Sequence, residues 1–415
     1  MITSILEQED KELFGYIQAE TTRQEYEIEL IASENYASPA VMQAAGSILM
    51  NKYSEGYPGK RYYAGQVHID QVENLAIERA RAIFGAEYIN VQPLSGSPAN
   101  MGIYMALLQP GDTVLGMSLD QGGHLSHGHP MNFSGLLYNM VSYGLDKETE
   151  TIDMDEVERI ATETKPKMII AGFSAYSRDL EWQRFRDIAD KVGAYLMADI
   201  SHIAGLIAGK VLENPIPYCD VVMTTTHKTL RGPRGAIIMS KAALGPAIAR
   251  AIFPGIQGGP HENVIAAKAV AFKEALAPSF EIYAKQIISN AQVLAKNLAS
   301  QGLRVISGGT SNHLILLDVF GSFGLTGKEA EKVLEAVGVS TNKNMIPFDP
   351  RKPLDPSGIR IGTPAVTTRG MKEAEMEELG NIMVRALKNI GNTTELEKIK
   401  GEVKVLCQKF PLYKN

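Results

Sequence analysis

Cysteine is nearly absent. Cys219 and Cys407 are the only two in 415 residues and lie far apart, which excludes a disulfide framework and any zinc or iron–sulfur cluster built on cysteine. No uninterrupted apolar stretch approaches the roughly 18 residues that suggest a membrane span. Basic charge is not in excess either: 47 Asp and Glu against 41 Lys and Arg give a net charge of -6, so no overall field draws the molecule to nucleic acid. The opening residues MITSILEQEDKELFGY show neither a basic region followed by an apolar core nor an Arg-rich amphipathic transit pattern. These absences lead to the expectation of a soluble, cytoplasmic protein.

What is present reads as an ordinary globular chain. Hydrophobic residues make up 45% and charged residues 21%, and the length suggests about two or three domain-sized units. The 38 Gly, about 9%, exceed the usual share of about 7% without any repeat period, so many tight turns and close backbone approaches are expected. From about residue 20 to 285, short apolar runs alternate with helical patterns, which predicts parallel strands joined by crossover helices. The strand candidates are 88–91, 113–115, 168–171, 195–198, 221–224 and 236–239, each apolar on both faces as a buried parallel sheet requires. Helices are expected over 71–84 and 155–164. Beyond Pro278 a long helix pattern runs to about Gln301, with Gly302 as its stop, and opens a separate α+β unit. In that unit 304–306, 313–318 and 358–361 read as strands and 327–337 as a helix.

The most informative stretch is Val221 to Gly235, where Lys228 follows an apolar strand, is flanked by Thr and His227, and precedes a Gly/Pro-rich turn. An isolated lysine of this kind is usually a solvated loop residue. At a buried strand end, however, desolvation and the nearby cation Arg234 both disfavour the charged form, and a neutral amine can condense with an aldehyde. Asp199 ends another strand candidate about 29 residues earlier, roughly one βαβ step, and carboxyl ends of neighbouring strands converge on one crevice. Alone it reads as a helix cap. Together the two residues suit pyridoxal phosphate, with Lys228 at the aldehyde carbon and Asp199 beside the protonated ring nitrogen.

A phosphate needs a cradle, and 90–100 offers one: Gly96 lies among small residues, and Ser97-Pro98 reads as the start of a helix, as capping and proline preference favour. A plain helix cap explains this loop equally well. In 121–129, three of the eight His cluster among glycines. A metal site is the alternative there, but no HExxH accompanies it, and a ring stacked on an aromatic cofactor explains His124 as well.

These residues, together with 29–36, 51–63, the run Thr224 to Thr229 and 357–364, resemble serine hydroxymethyltransferase over nearly the whole chain. The resemblance implies the aspartate aminotransferase fold: an N-terminal helical arm over 1–30, a large pyridoxal-phosphate-binding domain over 31–278 with a mostly parallel seven-stranded sheet between helices, and a small α+β domain over 279–415. It implies Lys228 as the cofactor lysine, Asp199 as partner of the ring nitrogen and His124 as the stacking residue. His202 and Ser174 would bond the phenolic oxygen region, while Gly96, Ser97 and His227 hold the phosphate. Tyr53, Gly258 and Gly259 would reach the phosphate from a neighbouring subunit, which implies a homodimer with shared sites. Arg360, assisted by Ser33, would clamp the substrate carboxylate. Glu55 would be the acid/base carboxylate, with Tyr62 and Tyr63 lining its pocket, although a salt bridge from Glu55 to Lys60 or Arg61 is what the local sequence alone suggests. Leu119, Gly123, Leu125 and Asn344 would contact tetrahydrofolate.

The chain departs from the common pattern at Leu94 and Pro98, where many members carry His and Gln, and at Phe348 and 352–354 on the folate side. The expected reaction is interconversion of serine plus tetrahydrofolate with glycine plus methylenetetrahydrofolate. Three rivals remain at this point. A folate-independent aldolase of β-hydroxy amino acids needs the same Lys and Asp, and a binding protein could keep the fold without chemistry. A nicotinamide-dependent oxidoreductase is disfavoured because no GxGxxG opens a βαβ unit with an acidic residue suitably downstream.

Overall fold

The computed structural model describes residues 3–413. Its main sheet has seven strands: β1 (Tyr88–Asn90), β2 (Thr113–Met117), β3 (Asn139–Tyr143), β4 (Met168–Gly172), β5 (Tyr195–Asp199), β6 (Val221–Thr225) and β7 (Ala236–Ser240). Their spatial order is β1-β7-β6-β5-β4-β2-β3, and β7 alone runs against the others. Strict alternation of side chains sends Val114, Met168, Ile170, Met197, Val221 and Met223 to one face. Leu115, Ile169, Ala171, Leu196, Ala198 and Val222 go to the other. Both faces are covered, the first by helix Gly96–Leu107 and the turns before Ile256, the second by helices Val67–Phe84, Met154–Thr164, Trp182–Val192 and Glu262–Ala275. That cover is why these strands read as continuous apolar runs.

Strand β3 lies outside the expectation. Asn139-Met140-Val141-Ser142-Tyr143 sits at the sheet edge with only Tyr143 fully buried, so it lacks the apolar signature of its neighbours. A second difference concerns the cradle. Helix Gly96–Leu107 starts one residue earlier than the Ser97-Pro98 pair suggests, with Ser95 at the cap and no side chain bonded to its first N–H groups.

The second sheet is antiparallel, in the order β8 (Arg304–Val305), β9 (Leu314–Asp318), β11 (Gly358–Gly362), β10 (Asn342–Asn344). Strand β10 is too polar to read as one from sequence; it forms because its partner β11 needs both edges paired. Helix Pro278–Ser300 belongs to both cores: Phe280, Ala284 and Ile287 pack under the main sheet, Ala291, Leu294 and Leu298 under the second. Such sharing holds the two sheets in one orientation.

The chain begins with helices Thr3–Glu9 and Lys11–Tyr26, the latter capped by Asp10, whose carboxylate accepts from Leu13 N at 3.0 Å. Buried Arg369 donates to the carbonyls of Gln24, Glu25 and Glu27, satisfying the open end of that helix. Ile28 and Glu29 then pair in parallel with Val339 and Ser340 in a separate two-stranded ladder just before β10, which fixes the start of the chain to the C-terminal half. No helix among the described residues is long and apolar enough to cross a membrane.

Candidate active site

The carboxyl ends of β4, β5 and β6 open into a cavity of about 350 Å³, closed by the cradle loop, the His124 loop and β11. Ser33, Gly96, Ser97, His124, Ser174, Asp199, His202, His227, Lys228 and Arg360 all line it, so ten of the residues expected at the site converge from seven separate segments. Adjacent parallel strands place Asp199 at the end of β5 and Lys228 three residues beyond β6.

Asp199 is buried and accepts four hydrogen bonds. Ser201 N and Ser201 Oγ reach Oδ1 at 3.1 and 2.6 Å, while His127 Nε2 and Asn100 Nδ2 reach Oδ2 at 3.0 and 3.1 Å. Burial pushes its acidity the unfavourable way, yet these bonds and the nearby imidazoles win and hold the carboxyl far below the usual range. His124, His127 and Asp199 lie close enough to bracket a cation, but His127 Nε2 already meets Asp199 Oδ2 at 3.0 Å and His124 Nδ1 meets Ser126 Oγ at 2.7 Å. His127, Asn100 and Ser201 were not singled out in the sequence. Ser201 is the one with a local signal, since an Asp readily bonds the backbone two residues on.

Burial pushes the Lys228 amine down to about 8; Asp199 pulls the other way, and Arg360 and Arg234 push further down. Burial likewise lowers His227 to about 3, helped by Arg234, whose Nη1 lies 2.8 Å from His227 Nε2. His124 falls to about 4, again by burial and then by His127. The cradle is held from below by Lys268, a fully buried ammonium donating to the carbonyls of Val91 (2.6 Å), Pro93 (3.0 Å) and Ala236 (2.9 Å). Three acceptors and no donor around one nitrogen call for the –NH3⁺ form. Gly96 has a steric reason: a Cβ there would meet Thr225 Cγ2 at 2.9 Å.

Arg360 enters from β11 and faces the cavity. Its Nη1 donates to Ser174 O at 2.7 Å, its Nε to Asn342 Oδ1 at 3.1 Å, and its Nη2 lies 3.5 Å from Ser33 Oγ. Burial alone lowers its affinity for a proton, to about 10, and among the described residues no carboxylate answers it. A buried guanidinium without an anion is an unfinished ion pair.

The remaining expected residues lie off this wall. Tyr53, Glu55, Gly258 and Gly259 form a cluster of their own: a Cβ on Gly258 would lie 3.3 Å from Glu55 Oε1, and one on Gly259 3.5 Å from the Tyr53 ring. Tyr63 packs edge-on against Tyr53 and Tyr62 against Phe253. Tyr53 is 57% and Tyr62 75% exposed. Glu55 does not use Arg61 as the local sequence suggests; that guanidinium is taken by Asp70 at 2.9 Å and Glu73 at 2.7 Å. Leu119, Gly123 and Leu125 flank His124 without lining the cavity, and Asn344 bonds the Met345 carbonyl on β10.

A model of the serine hydroxymethyltransferase family matches residues 6–383. The chain belongs to that family. It is therefore an enzyme of one-carbon group transfer between serine and glycine, dependent on pyridoxal phosphate, and enzymes of this family use tetrahydrofolate as co-substrate. The fold agrees: a seven-stranded, mostly parallel sheet between helix layers. The site also fits the cofactor on its own chemistry. It offers an amine poised near neutrality, a carboxylate locked as an anion one strand away, a helix start with free N–H groups, and a cation awaiting a carboxylate.

Proposed function

We propose that this protein moves the hydroxymethyl carbon of serine to tetrahydrofolate and leaves glycine, in a cytoplasmic homodimer whose sites are shared. The observation that carries the reading is Arg360: a buried fork without an acid partner, in the same cavity as Lys228 and Asp199. An α-amino acid carboxylate fits that fork bidentately. Two buried free thiols suit a reducing compartment. The chain divides, on this reading, into the arm over 1–30, the cofactor domain over 31–278 and the small domain over 279–415.

When bound, pyridoxal phosphate supplies a cationic ring that draws electron density from the amino acid Cα. Lys228, buried and with its amine pushed down to about 8, would be the residue that holds the cofactor at its aldehyde. Asp199, kept ionised by its bonds from His127, Asn100 and Ser201, would hold a proton on the cofactor's ring nitrogen. His124, on the cavity wall, would face the cofactor ring. The N–H groups of Gly96 and Ser97 at the start of their helix, with the Ser97 hydroxyl and His227, would hold the cofactor phosphate. Arg360 and Ser33 would hold the substrate carboxylate and so orient the amino acid in the cavity.

The exposed cluster of Tyr53, Glu55, Tyr62, Tyr63, Gly258 and Gly259 fits a second subunit: it would complete the neighbour's cavity, with Tyr53 and the glycines at the phosphate and Glu55 moving the hydroxyl proton. Leu119, Gly123, Leu125 and Asn344 would take the pteridine side. The test is glycine formation from serine with and without tetrahydrofolate. Turnover that requires the folate supports the reading. Equal turnover without it would mean a folate-independent aldolase, and no turnover of serine under either condition would leave only a binding role.

A further inference from the structure

Lys228 carries its amine on a flexible four-carbon stem, and no hydrogen bond holds that amine among the described residues, so its aim is decided by the backbone below it. The flanking residues are pinned close to the main sheet. Thr226 N bonds Gly235 O at 3.0 Å, and Thr229 Oγ1 donates to His202 O at 2.8 Å and accepts from Gly205 N at 2.9 Å. Lys228 itself is held through its carbonyl, which accepts from Arg231 N at 3.0 Å and from Asn35 Nδ2 at 2.9 Å. The first bond closes a local turn. The second comes from 193 residues away.

Backbone groups fix which way the Asn35 amide points. The Tyr36 N–H, a donor only, lies 2.9 Å from Oδ1, and the Lys228 carbonyl, an acceptor only, lies 2.9 Å from Nδ2. A flipped amide would set donor against donor and acceptor against acceptor. The remaining bonds form a closed ring: Asn35 Nδ2 donates to Tyr283 OH at 2.8 Å, Thr368 Oγ1 donates to Asn35 Oδ1 at 2.6 Å, and the two hydroxyls lie 3.0 Å apart. Thr368 has one hydrogen and gives it to Asn35, so Tyr283 supplies the one between the hydroxyls, its other acceptor, Pro364 O, being farther at 3.4 Å. Arg231, which makes the turn at Lys228, sets its guanidinium over the Tyr283 ring, 4.6 Å from the centroid. Tyr283 belongs to helix Pro278–Ser300 and Thr368 ends helix Pro364–Thr368, which follows β11. Elements of the second core thus reach the cofactor lysine through one amide.

We infer that Asn35 is a positioning residue for Lys228: its amide grips the Lys228 carbonyl and so sets the amine where the cofactor aldehyde must arrive. The inference rests on the proposed reading of this cavity and gives the segment around Asn35 a second task. Ser33, two residues earlier, is on the cavity wall with its Oγ 3.5 Å from Arg360 Nη2. One short segment therefore spaces the carboxylate fork from the amine. Loss of the Asn35 bond would misdirect the amine, and a misplacement of about 1 Å can slow a capture step on the order of 100-fold. The groups that would hold the phosphate and the ring nitrogen, on Gly96, Ser97 and Asp199, do not depend on that carbonyl.

The test separates capture from binding. Asn35→Ala removes the bond, and Asn35→Asp keeps the shape and the acceptor beneath Tyr36 N while setting an oxygen against the Lys228 carbonyl. Two quantities are read on full-length protein freed of cofactor, well above pH 8, where the Lys228 amine is mostly neutral. One is the rate of pyridoxal phosphate capture, by stopped-flow absorbance. The other is the affinity for pyridoxine 5'-phosphate, which keeps the ring and the phosphate but has no aldehyde, by calorimetry. The rate is expected to fall about 10- to 100-fold in both variants while the analogue affinity stays within about twofold of the wild type. Capture at the wild-type rate in either folded variant overturns the inference. A loss of analogue affinity as large as the loss of rate also overturns it, because Asn35 would then only support the cavity wall. Should Asn35→Ala fail to fold, the isosteric Asn35→Asp decides alone. The split between rate and affinity, found together with no folate-dependent turnover of serine in the wild type, would uphold Asn35 and count against the proposed reaction alone.

Discussion

Replacing Asp199 by Asn separates the charge of this residue from its shape. The carboxylate accepts from two donors on each oxygen. An amide can keep only one side. With its oxygen toward Ser201, its NH2 confronts Asn100 Nδ2 and His127 Nε2; turned over, it confronts the Ser201 backbone N–H, which cannot reorient. His127 could change tautomer, at the expense of its weak 3.4 Å bond from His124 N, and Asn100 could flip, at the expense of its 2.7 Å bond to Ser126 Oγ. One or two buried mismatches at about 1–3 kcal/mol each place the loss near 2–4 kcal/mol. Denaturant unfolding of the cofactor-free protein measures it apart from catalysis. The pH dependence has a defined sign. Because the folded carboxyl is far more acidic than the unfolded one, the wild-type advantage is full above about pH 4 and shrinks as pH falls below that, when the unfolded side chain takes up its proton first. A variant as stable as the wild type at neutral pH, or a gap that does not shrink in acid, would refute the claim that four donors hold an anion here.

Other outcomes follow from the same geometry. Arg360→Lys keeps the charge and loses the fork, so serine affinity should fall about 10- to 100-fold, the worth of one charge-assisted bond, while cofactor binding is little changed; titration of the cofactor's visible absorption with serine checks it. The rate at which cofactor-free protein captures pyridoxal phosphate should climb with pH through a midpoint near 8 and level off above it, as Lys228 becomes mostly neutral; stopped-flow absorbance reads this, and a flat profile contradicts the assignment. Glu262 is raised to about 7 by burial, with Ser54 Oγ 2.7 Å from one oxygen and the other without a partner. Its folded form holds the proton longer than the unfolded form, so its contribution to stability declines as pH rises from about 4 to 7, and Glu262→Gln should flatten the stability profile over that window.

Most of the site was legible because its residues carry chemical signals where strands end. Lys228 and Asp199 stand beyond apolar runs, and Gly96 in a stretch of small residues; the parallel rule then brings those ends together. What escaped has a common cause. His127, Asn100, Lys268 and Asn35 matter through partners 72, 99, 177 and 193 residues away, and no local pattern announces such pairings. Strands β3 and β10 escaped because each lies at a sheet edge, where one face needs no apolar cover. Helix Pro278–Ser300 was recognised by its period, yet nothing in that period says that its two halves serve different cores.

The central claim is that Lys228 holds the cofactor. Borohydride reduction of the protein loaded with pyridoxal phosphate, followed by peptide mapping, tests it most directly. The account predicts a single pyridoxyl-modified lysine, Lys228, and none in Lys228→Ala. A label on Lys268 or on a surface lysine, with Lys228 unmodified, would contradict it.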